Sequence, residues 1–125
     1  MRLLVVDDSL VMRNAIARSL ETEDIGQVLF AEDGAEALAL FREHRPELVT
    51  MDLTMPRLDG LGAIAAIRDL EPTATILVIS ALNSHRDAIE AVRRGACGFL
   101  TKPFTADEVV DAIRLIAEHS RRDRS

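Results

Sequence analysis

The sequence predicts an α/β fold in which a doubly wound, five-stranded parallel sheet is covered by helices on both faces. Five short apolar segments alternate with five longer amphipathic segments along the 125 residues, which is the pattern of repeated strand–helix units. The apolar segments are rich in Val, Ile and Leu, as strands buried on both faces are. The length fits a single domain, and 48% of the residues are hydrophobic, which is enough for one core.

The predicted strands comprise residues 3–6, 27–31, 47–52, 75–80 and 98–101. The first, third and fourth are the most apolar, so we expect them in the centre of the sheet. The second strand and the glycine-containing fifth strand suit the edges. With right-handed crossovers, these preferences favour the strand order 2-1-3-4-5. In such a sheet, ligands bind beyond the carboxyl ends of the strands, where the winding reverses.

Capping residues delimit the predicted helices. Residues 105–108, Thr-Ala-Asp-Glu, form a capping box before the fifth helix, and Asp33 with Glu36 predicts the start of the second. Gly95 follows two arginines and predicts the end of the fourth helix. The fifth helix has one apolar face with the spacing of helical turns, formed by Val109, Ala112, Ile113, Ile116 and Ala117.

Charge and composition exclude several classes of protein. The net charge of −6 argues against a nucleic-acid-binding domain. Basic residues are concentrated only in 120–125, which we interpret as a disordered tail or the start of a linker after a domain of residues 1–119. A single cysteine excludes an intramolecular disulfide. No apolar run could insert into a membrane, and no signal peptide is visible. We therefore expect a cytoplasmic protein, a monomer by default, with a dimer left open.

Acidic and polar residues follow the predicted strands at their carboxyl ends. Asp7 and Asp8 follow the first strand, Asp52 ends the third, and Ser80 ends the fourth. Because the first and third strands are neighbours, the three aspartates should meet in one crevice. Clustered carboxylates repel one another, and a hard divalent cation such as Mg²⁺ relieves the repulsion through oxygen ligands. The alternative is that Asp8 or Ser9 merely caps the first helix.

Lys102 follows the fifth strand and is the one lysine among the 15 Lys and Arg residues. Lysine carries a compact charge on a flexible stem, whereas arginine carries a wide planar fork. A narrow site beside carboxylates and a phosphoryl group would favour lysine at this position. Chance is the alternative explanation.

Four segments together resemble the receiver domains of two-component response regulators, of the single-domain CheY-like chemotaxis type. They are VVDDS, VTMDLTMPRLDG, VISA and GFLTKPF, and the resemblance extends from residue 3 to about residue 117. The order and spacing of the Asp pair, Asp-x-x-x-Pro, Ser and Lys-Pro are specific to that family. The resemblance implies a domain that is not a conventional enzyme. Such a domain accepts a phosphoryl group from a sensor histidine kinase or phosphotransfer protein and catalyses only its own phosphorylation and dephosphorylation.

The resemblance also implies a role for each residue of the acidic cluster. Asp52 is the phosphoacceptor. Asp8, Asp52 and the backbone carbonyl of Thr54 bind Mg²⁺ directly, and Asp7 acts through metal-bound water. Mn²⁺ could replace Mg²⁺.

Three further groups are implied to bind the phosphoryl group, namely Lys102, the Ser80 hydroxyl and the amide of Ala81. Ser80 and Phe99 form the switch that changes the face built from the fourth helix, fifth strand and fifth helix, where an unknown output partner binds. Phe lacks the hydroxyl that many relatives carry as Tyr, so a hydrogen-bonded switch is not expected.

Two more features come from the resemblance. Thr54 and Leu82 occupy the positions that tune access of the hydrolytic water, and the apolar Leu82 implies moderate to slow dephosphorylation. The Lys102-Pro103 peptide bond is a candidate cis peptide.

Other functions fit the residues less well. A phosphatase with an Asp nucleophile, of the haloacid dehalogenase type, would carry a second aspartate where this chain has Thr54. A nucleotide-binding or flavodoxin-like module would need a Gly-rich or Ser/Thr-rich loop after the first strand, where this chain has DDS. An interaction domain without phosphorylation would not need the complete set of acidic residues, serine and lysine. A receiver that belongs to a larger regulator with an output domain stays open.

Overall fold

The computed structural model describes residues 1–53, 60–81 and 85–124. Within these ranges the strands are β1 (Arg2–Val6), β2 (Gln27–Ala31), β3 (Leu48–Met51), β4 (Thr75–Ser80) and β5 (Gly98–Thr101). The helices are α1 (Leu10–Ser19), α2 (Gly34–His44), α3 (Gly60–Leu70), α4 (His85–Arg94) and α5 (Ala106–Arg124). The strands form one parallel sheet with the order β2-β1-β3-β4-β5, which confirms the predicted fold and strand order.

Each face of the sheet carries its own hydrophobic core because successive side chains of a strand point to opposite faces. In β1, Leu4 and Val6 pack on the face covered by α2, α3 and α4. Leu3 and Val5 pack on the face covered by α1 and α5. All four are at most 1% exposed, and burying each contributes about 2 kcal/mol to folding. This double burial explains why the first predicted strand is an unbroken apolar run.

The predicted caps are present at the described helix ends. Asp33 is the N-cap of α2 and accepts a hydrogen bond from the backbone N–H of Glu36 at 2.8 Å. Thr105 and Glu108 form the reciprocal capping box of α5, with bonds of 3.0 and 3.2 Å. Gly95 follows α4 with φ of 125°, a left-handed conformation that favours glycine and ends the helix.

The last helix is longer than the sequence indicates. α5 continues to Arg124, and the interpretation of residues 120–125 as a tail or the start of a linker stays a prediction. The apolar face ends near Ala117, but Arg and Glu have high intrinsic helix propensity and extend the backbone beyond it. Where the domain ends stays a prediction. Within the part of the chain that is described, no helix has both the length and the apolar character needed to cross a membrane.

Arginine side chains bond the C-terminal ends of three helices. These bonds lie on the side of the sheet where the strands begin, opposite their carboxyl ends. In each case a guanidinium donates to a backbone carbonyl near a helix end. The pairs are Arg2 with His44 at 2.6 Å, Arg45 with Leu70 at 3.1 Å, and Arg68 with Gly95 at 2.5 Å. These bonds satisfy carbonyls that have no partner inside their own helix, and the planar fork suits them better than an ammonium would.

Candidate functional site

The register of the sheet places acidic residues around one crevice. Val6, which ends β1, pairs with Met51, which ends β3, so the next residues, Asp7 and Asp52, leave the sheet side by side. Both are buried, at 1% and 3% exposure, whereas Asp8 is exposed. Carboxylate oxygens of the three aspartates lie within 4.8 Å of one another. The three acidic side chains therefore meet where the strand order predicted.

The cap of α1 is Ser9 and not Asp8. The Ser9 Oγ accepts a hydrogen bond from the backbone N–H of Met12 at 3.3 Å, which satisfies one of the free N–H groups at the start of the helix. Asp8 is thus not needed as a cap, and its carboxylate belongs to the acidic cluster. Helix capping therefore explains the serine of the Asp-Asp-Ser segment but not its two aspartates.

Asp7 is held by hydrogen bonds at every polar group. Its backbone N–H donates to the Ala31 carbonyl at 3.1 Å, and its carbonyl accepts from Nη1 of Arg13 at 2.8 Å. Its Oδ1 accepts from the backbone N–H of Ser9 at 2.9 Å, and its Oδ2 accepts from Nζ of Lys102 at 2.7 Å. Asp7 therefore has a defined orientation before any ligand binds.

Burial raises the pKa of the Asp7 carboxyl above its ordinary value, because desolvation disfavours the charged form. The hydrogen bond and the charge of Lys102, together with the bond from the Ser9 amide, act in the opposite direction, and Asp52 adds to the rise. The net direction is upward, so the cluster holds its negative charge at a cost in free energy. A cation that binds there would reduce this cost.

Lys102 lies between two of the carboxylates. Its Nζ is 2.7 Å from Oδ2 of Asp7 and 3.7 Å from Oδ2 of Asp52, and its side chain is 17% exposed. Its backbone N–H donates to the carbonyl of Ser80 at 3.1 Å, and the Lys102-Pro103 peptide bond is cis. The cluster thus contains three carboxylates and one ammonium, which leaves two formal negative charges.

Ser80 contacts the central carboxylate directly. It is fully buried, its Oγ donates to Oδ1 of Asp52 at 2.7 Å, and the same Oγ accepts from the backbone N–H of Leu53 at 3.3 Å. A strand-end serine that bonded only to nearby backbone would not reach Asp52. The hydroxyl is therefore part of the site.

The residues present fit a hard divalent cation. Mg²⁺ prefers oxygen ligands, takes one or two carboxylates and keeps several waters. Asp8 is exposed, so one side of the acidic cluster is open to solvent and to such waters. Thr54, whose carbonyl is the other ligand implied by the sequence, lies outside the described residues, and its role stays a prediction.

Gly60 is a residue of the site that the sequence reasoning missed. It begins α3, and a Cβ at this position would collide with the carbonyl oxygen of Asp52 and with the Cα of Leu53. These are backbone atoms, which cannot move aside as a flexible side chain can. Only glycine therefore allows α3 to pack directly against the backbone of Asp52. The signal was present in the segment MDLTMPRLDG, which ends at this glycine.

The remaining predicted residues are placed as follows. Ala81 comes directly after Ser80 and is exposed. Phe99 pairs with Val78 in the sheet and is 48% exposed, so it is not a core residue in this structure. Leu82 lies outside the described residues, like Thr54. The functional roles of all four stay predictions.

Comparisons with known proteins agree with this arrangement. A family model described as "Response regulator receiver domain" matches residues 3–114. Chemotaxis protein CheY of Listeria monocytogenes is 38% identical over 118 residues, which cover 94% of this chain and 99% of that protein. CheY of Bacillus subtilis is 42% identical over 112 residues, covering 90% and 93%. The CheX-CheY-BeF3-Mg²⁺ complex of Borrelia burgdorferi contains a similar fold, with a TM-score of 0.88 and 27% identity over 93% of this chain and 88% of that one.

Proposed function

Because the chain belongs to the family of response regulator receiver domains, we propose that Asp52 is the residue that accepts the phosphoryl group. A receiver domain of this kind serves two-component signalling through an acidic pocket for phosphorylation and is not a conventional enzyme. The observation that carries the assignment is the position of Asp52. Among the residues that the structure describes, it is the one carboxylate with contacts from both the Ser80 hydroxyl and the Lys102 ammonium.

In the proposed reaction, an oxygen of Asp52 forms a bond to the phosphorus of a phosphohistidine or a small phosphodonor. With a phosphohistidine, the P–N bond breaks and its electron pair stays on the imidazole nitrogen. Water later attacks the phosphorus, the P–O bond to Asp52 breaks, and inorganic phosphate leaves. Mg²⁺, or Mn²⁺ in its place, supplies positive charge to the phosphoryl oxygens when it is bound by Asp8, Asp52 and the Thr54 carbonyl. Asp7 would act on the metal through a water molecule.

Lys102 supplies the positive charge on the protein side. Its Nζ is 3.7 Å from Oδ2 of Asp52, so a small movement of its flexible stem brings it to a phosphoryl oxygen on that residue. Phosphoryl transfer depends mainly on positioning and on neutralisation of charge. The amide of Ala81 adds a second donor to the phosphoryl group.

Ser80 and Phe99 transmit the change to the surface. When a phosphoryl oxygen takes the Ser80 hydrogen bond, the hydroxyl moves toward it and the Phe99 ring turns inward from its half-exposed position. The face formed by α4, β5 and α5 then changes its exposed apolar surface, which includes Ile89 and Val92 at 57% and 52% exposure. A partner that binds the phosphorylated conformation about 5.5 kcal/mol more tightly than the other conformation would shift the ratio of the two from 1:99 to 99:1.

The partners follow from the same chemistry. We propose a sensor histidine kinase or a phosphotransfer protein as the phosphodonor and a protein that recognises the face of α4, β5 and α5 as the output. Such donors transfer phosphate in the cytoplasm, which is the location we propose. The apolar Leu82 does not position a hydrolytic water, so we propose moderate to slow loss of the phosphoryl group.

Beryllofluoride, a mimic of the phosphoryl group, provides the direct test. We expect Mg²⁺-dependent binding to the wild-type protein, detected by ¹⁹F NMR, and a shift of the Ser80 and Phe99 amide resonances. Asp52→Asn should abolish binding, and acetyl phosphate should no longer modify the protein. Asp33→Asn is the matched control, because Asp33 is also buried at the end of a strand but serves as a helix cap. Unchanged binding by the Asp52 variant would refute the proposal.

A further inference from the structure

We propose that Arg13 is a positioning residue for the metal-binding aspartate pair, which it holds through the backbone carbonyl of Asp7. This inference rests on the proposed function, since it concerns the same Mg²⁺ site. Arg13 lies in the first turns of α1 and is half-buried. Its Nη1 donates to the Asp7 carbonyl at 2.8 Å, so its side chain folds back over the start of the helix to the end of β1.

This position is unfavourable for a cation on helix-dipole grounds alone. The N-terminus of a helix carries partial positive charge and favours acidic residues, and the first turn of α1 has none. Its guanidinium instead bonds the carbonyl of Asp7, a member of the acidic cluster, whose negative charge is favourable for a cation. The location of Arg13 is explained by the aspartates and not by the helix.

The bond to the Asp7 carbonyl has a consequence for Asp8. The carbonyl of Asp7 and the N–H of Asp8 belong to one planar peptide unit. A hydrogen bond that fixes the direction of the carbonyl also fixes the direction in which the chain enters Asp8. The Asp7 carboxylate has its own bonds from Ser9 and Lys102, whereas the Asp8 side chain is exposed. Arg13 thus orients the more exposed of the two aspartates, which is the one proposed to bind Mg²⁺ directly.

The sign of the effect on Mg²⁺ affinity distinguishes positioning from simple electrostatics. Removal of a positive charge near a cation site should tighten Mg²⁺ binding if charge alone matters. Loss of a group that orients a metal ligand should weaken it, on the order of tenfold. Arg13→Met removes both the charge and the hydrogen bond, so the two explanations predict opposite results for the same variant.

The experiment compares three variants by calorimetric Mg²⁺ titration. We expect Arg13→Met to bind Mg²⁺ about tenfold more weakly than wild type. Arg13→Lys, which keeps a charged donor, should recover part of the loss. Arg2→Met is the matched control. The guanidinium of Arg2 also donates to a backbone carbonyl, that of His44, at 2.6 Å. Arg2 begins β1, however, and so lies at the end of the strand that is opposite the acidic cluster. Arg2→Met should leave Mg²⁺ affinity unchanged.

A second measurement uses the metal-free protein. The ¹⁵N order parameter of the Asp8 amide should fall from about 0.85 toward 0.6 in Arg13→Met and stay at the wild-type value in Arg2→Met. Equal or tighter Mg²⁺ binding by Arg13→Met, or an equal loss in the control, would overturn the inference while leaving the metal site itself intact. If wild-type protein bound no Mg²⁺, the proposed function would fail, and the order parameter alone would decide the role of Arg13.

Discussion

Asp52→Asn should stabilise the metal-free protein, although it removes the residue on which the proposed function depends. The carboxylate oxygens of Asp7, Asp8 and Asp52 lie within 4.8 Å of one another. At an effective dielectric constant of about 20, two like charges at that distance repel each other by about 3.5 kcal/mol. Asp52 therefore meets at least this repulsion from each of the other two aspartates. The attraction to Lys102 at 3.7 Å is about 4.5 kcal/mol on the same scale. The net repulsion is therefore about 2.5 kcal/mol, or about 1 kcal/mol if solvent halves the contribution of the exposed Asp8.

The Asn side chain keeps the shape of Asp and can still accept the Ser80 hydrogen bond through its carbonyl oxygen. We therefore expect the free energy of unfolding in EDTA to rise by about 1–2.5 kcal/mol, which raises Tm by roughly 3–10 °C for a domain of this size. In saturating Mg²⁺, wild type should instead be more stable than Asp52→Asn. At 100 times Kd, Mg²⁺ stabilises the wild type by about 2.7 kcal/mol, whereas the variant lacks one of the proposed ligands.

Far-UV circular dichroism is the suitable assay, because the chain has no Trp or Tyr. Thermal and urea unfolding are measured in EDTA and in Mg²⁺ for the wild type, Asp52→Asn and the control Asp33→Asn. The control should behave like wild type in both buffers, since Asn is an equally good helix cap. The electrostatic reasoning would be refuted if Asp52→Asn had a lower Tm than wild type in EDTA. It would also be refuted if Mg²⁺ raised the Tm of this variant as much as that of wild type.

Three other perturbations test neighbouring parts of the site. Lys102→Met leaves Asp7 without its ion-pair partner and should lower the free energy of unfolding in EDTA by about 3–5 kcal/mol, with partial recovery in Mg²⁺. An unchanged free energy of unfolding, measured with urea, would contradict this. Gly60→Ala should lower the free energy of unfolding by about 1–3 kcal/mol and weaken Mg²⁺ binding in calorimetry, because its Cβ meets the Asp52 backbone. Gly98→Ala is the control, since its Cβ would make only ordinary van der Waals contacts, and it should change neither quantity. The raised pKa of Asp7 means that its ionised form opposes folding above that pKa and that this cost disappears as pH falls toward 3.8 and below. In EDTA, the stability of wild type relative to Asp7→Asn should therefore rise as pH falls from 7 to 4, and a constant difference in urea unfolding would exclude the effect.

Much of the site could be predicted because its residues lie at the ends of strands. The carboxyl ends of parallel strands meet at one edge of the sheet, so the strand order alone brings Asp7 and Asp52 together once β1 and β3 are neighbours. Ser80 follows from the same argument, since β4 is next to β3. Lys102 could be recognised by its type, because it is the one lysine of the chain.

Other features depend on interactions between residues that the sequence does not place together. The choice between Asp8 and Ser9 as the cap of α1 depends on which side chain reaches the N–H of Met12. The role of Gly60 depends on a close approach between α3 and the backbone of Asp52. The end of α5 at Arg124 could not be predicted from its apolar face, because such a face marks where a helix packs but not where it ends.

The sequence by itself determined the layered fold, the order of its strands and the type of chemistry. Hydrophobic periodicity and strand-end residues are local properties, and the rules of parallel sheets convert them into a topology. Only the tertiary structure decided how the charges are arranged, with Lys102 bonded to Asp7 and the Ser80 hydroxyl on Asp52. It also decided that Arg13 bonds the Asp7 carbonyl. The physical reason is that hydrogen-bond geometry varies over fractions of an ångström, and these distances are set by how helices and strands pack against one another.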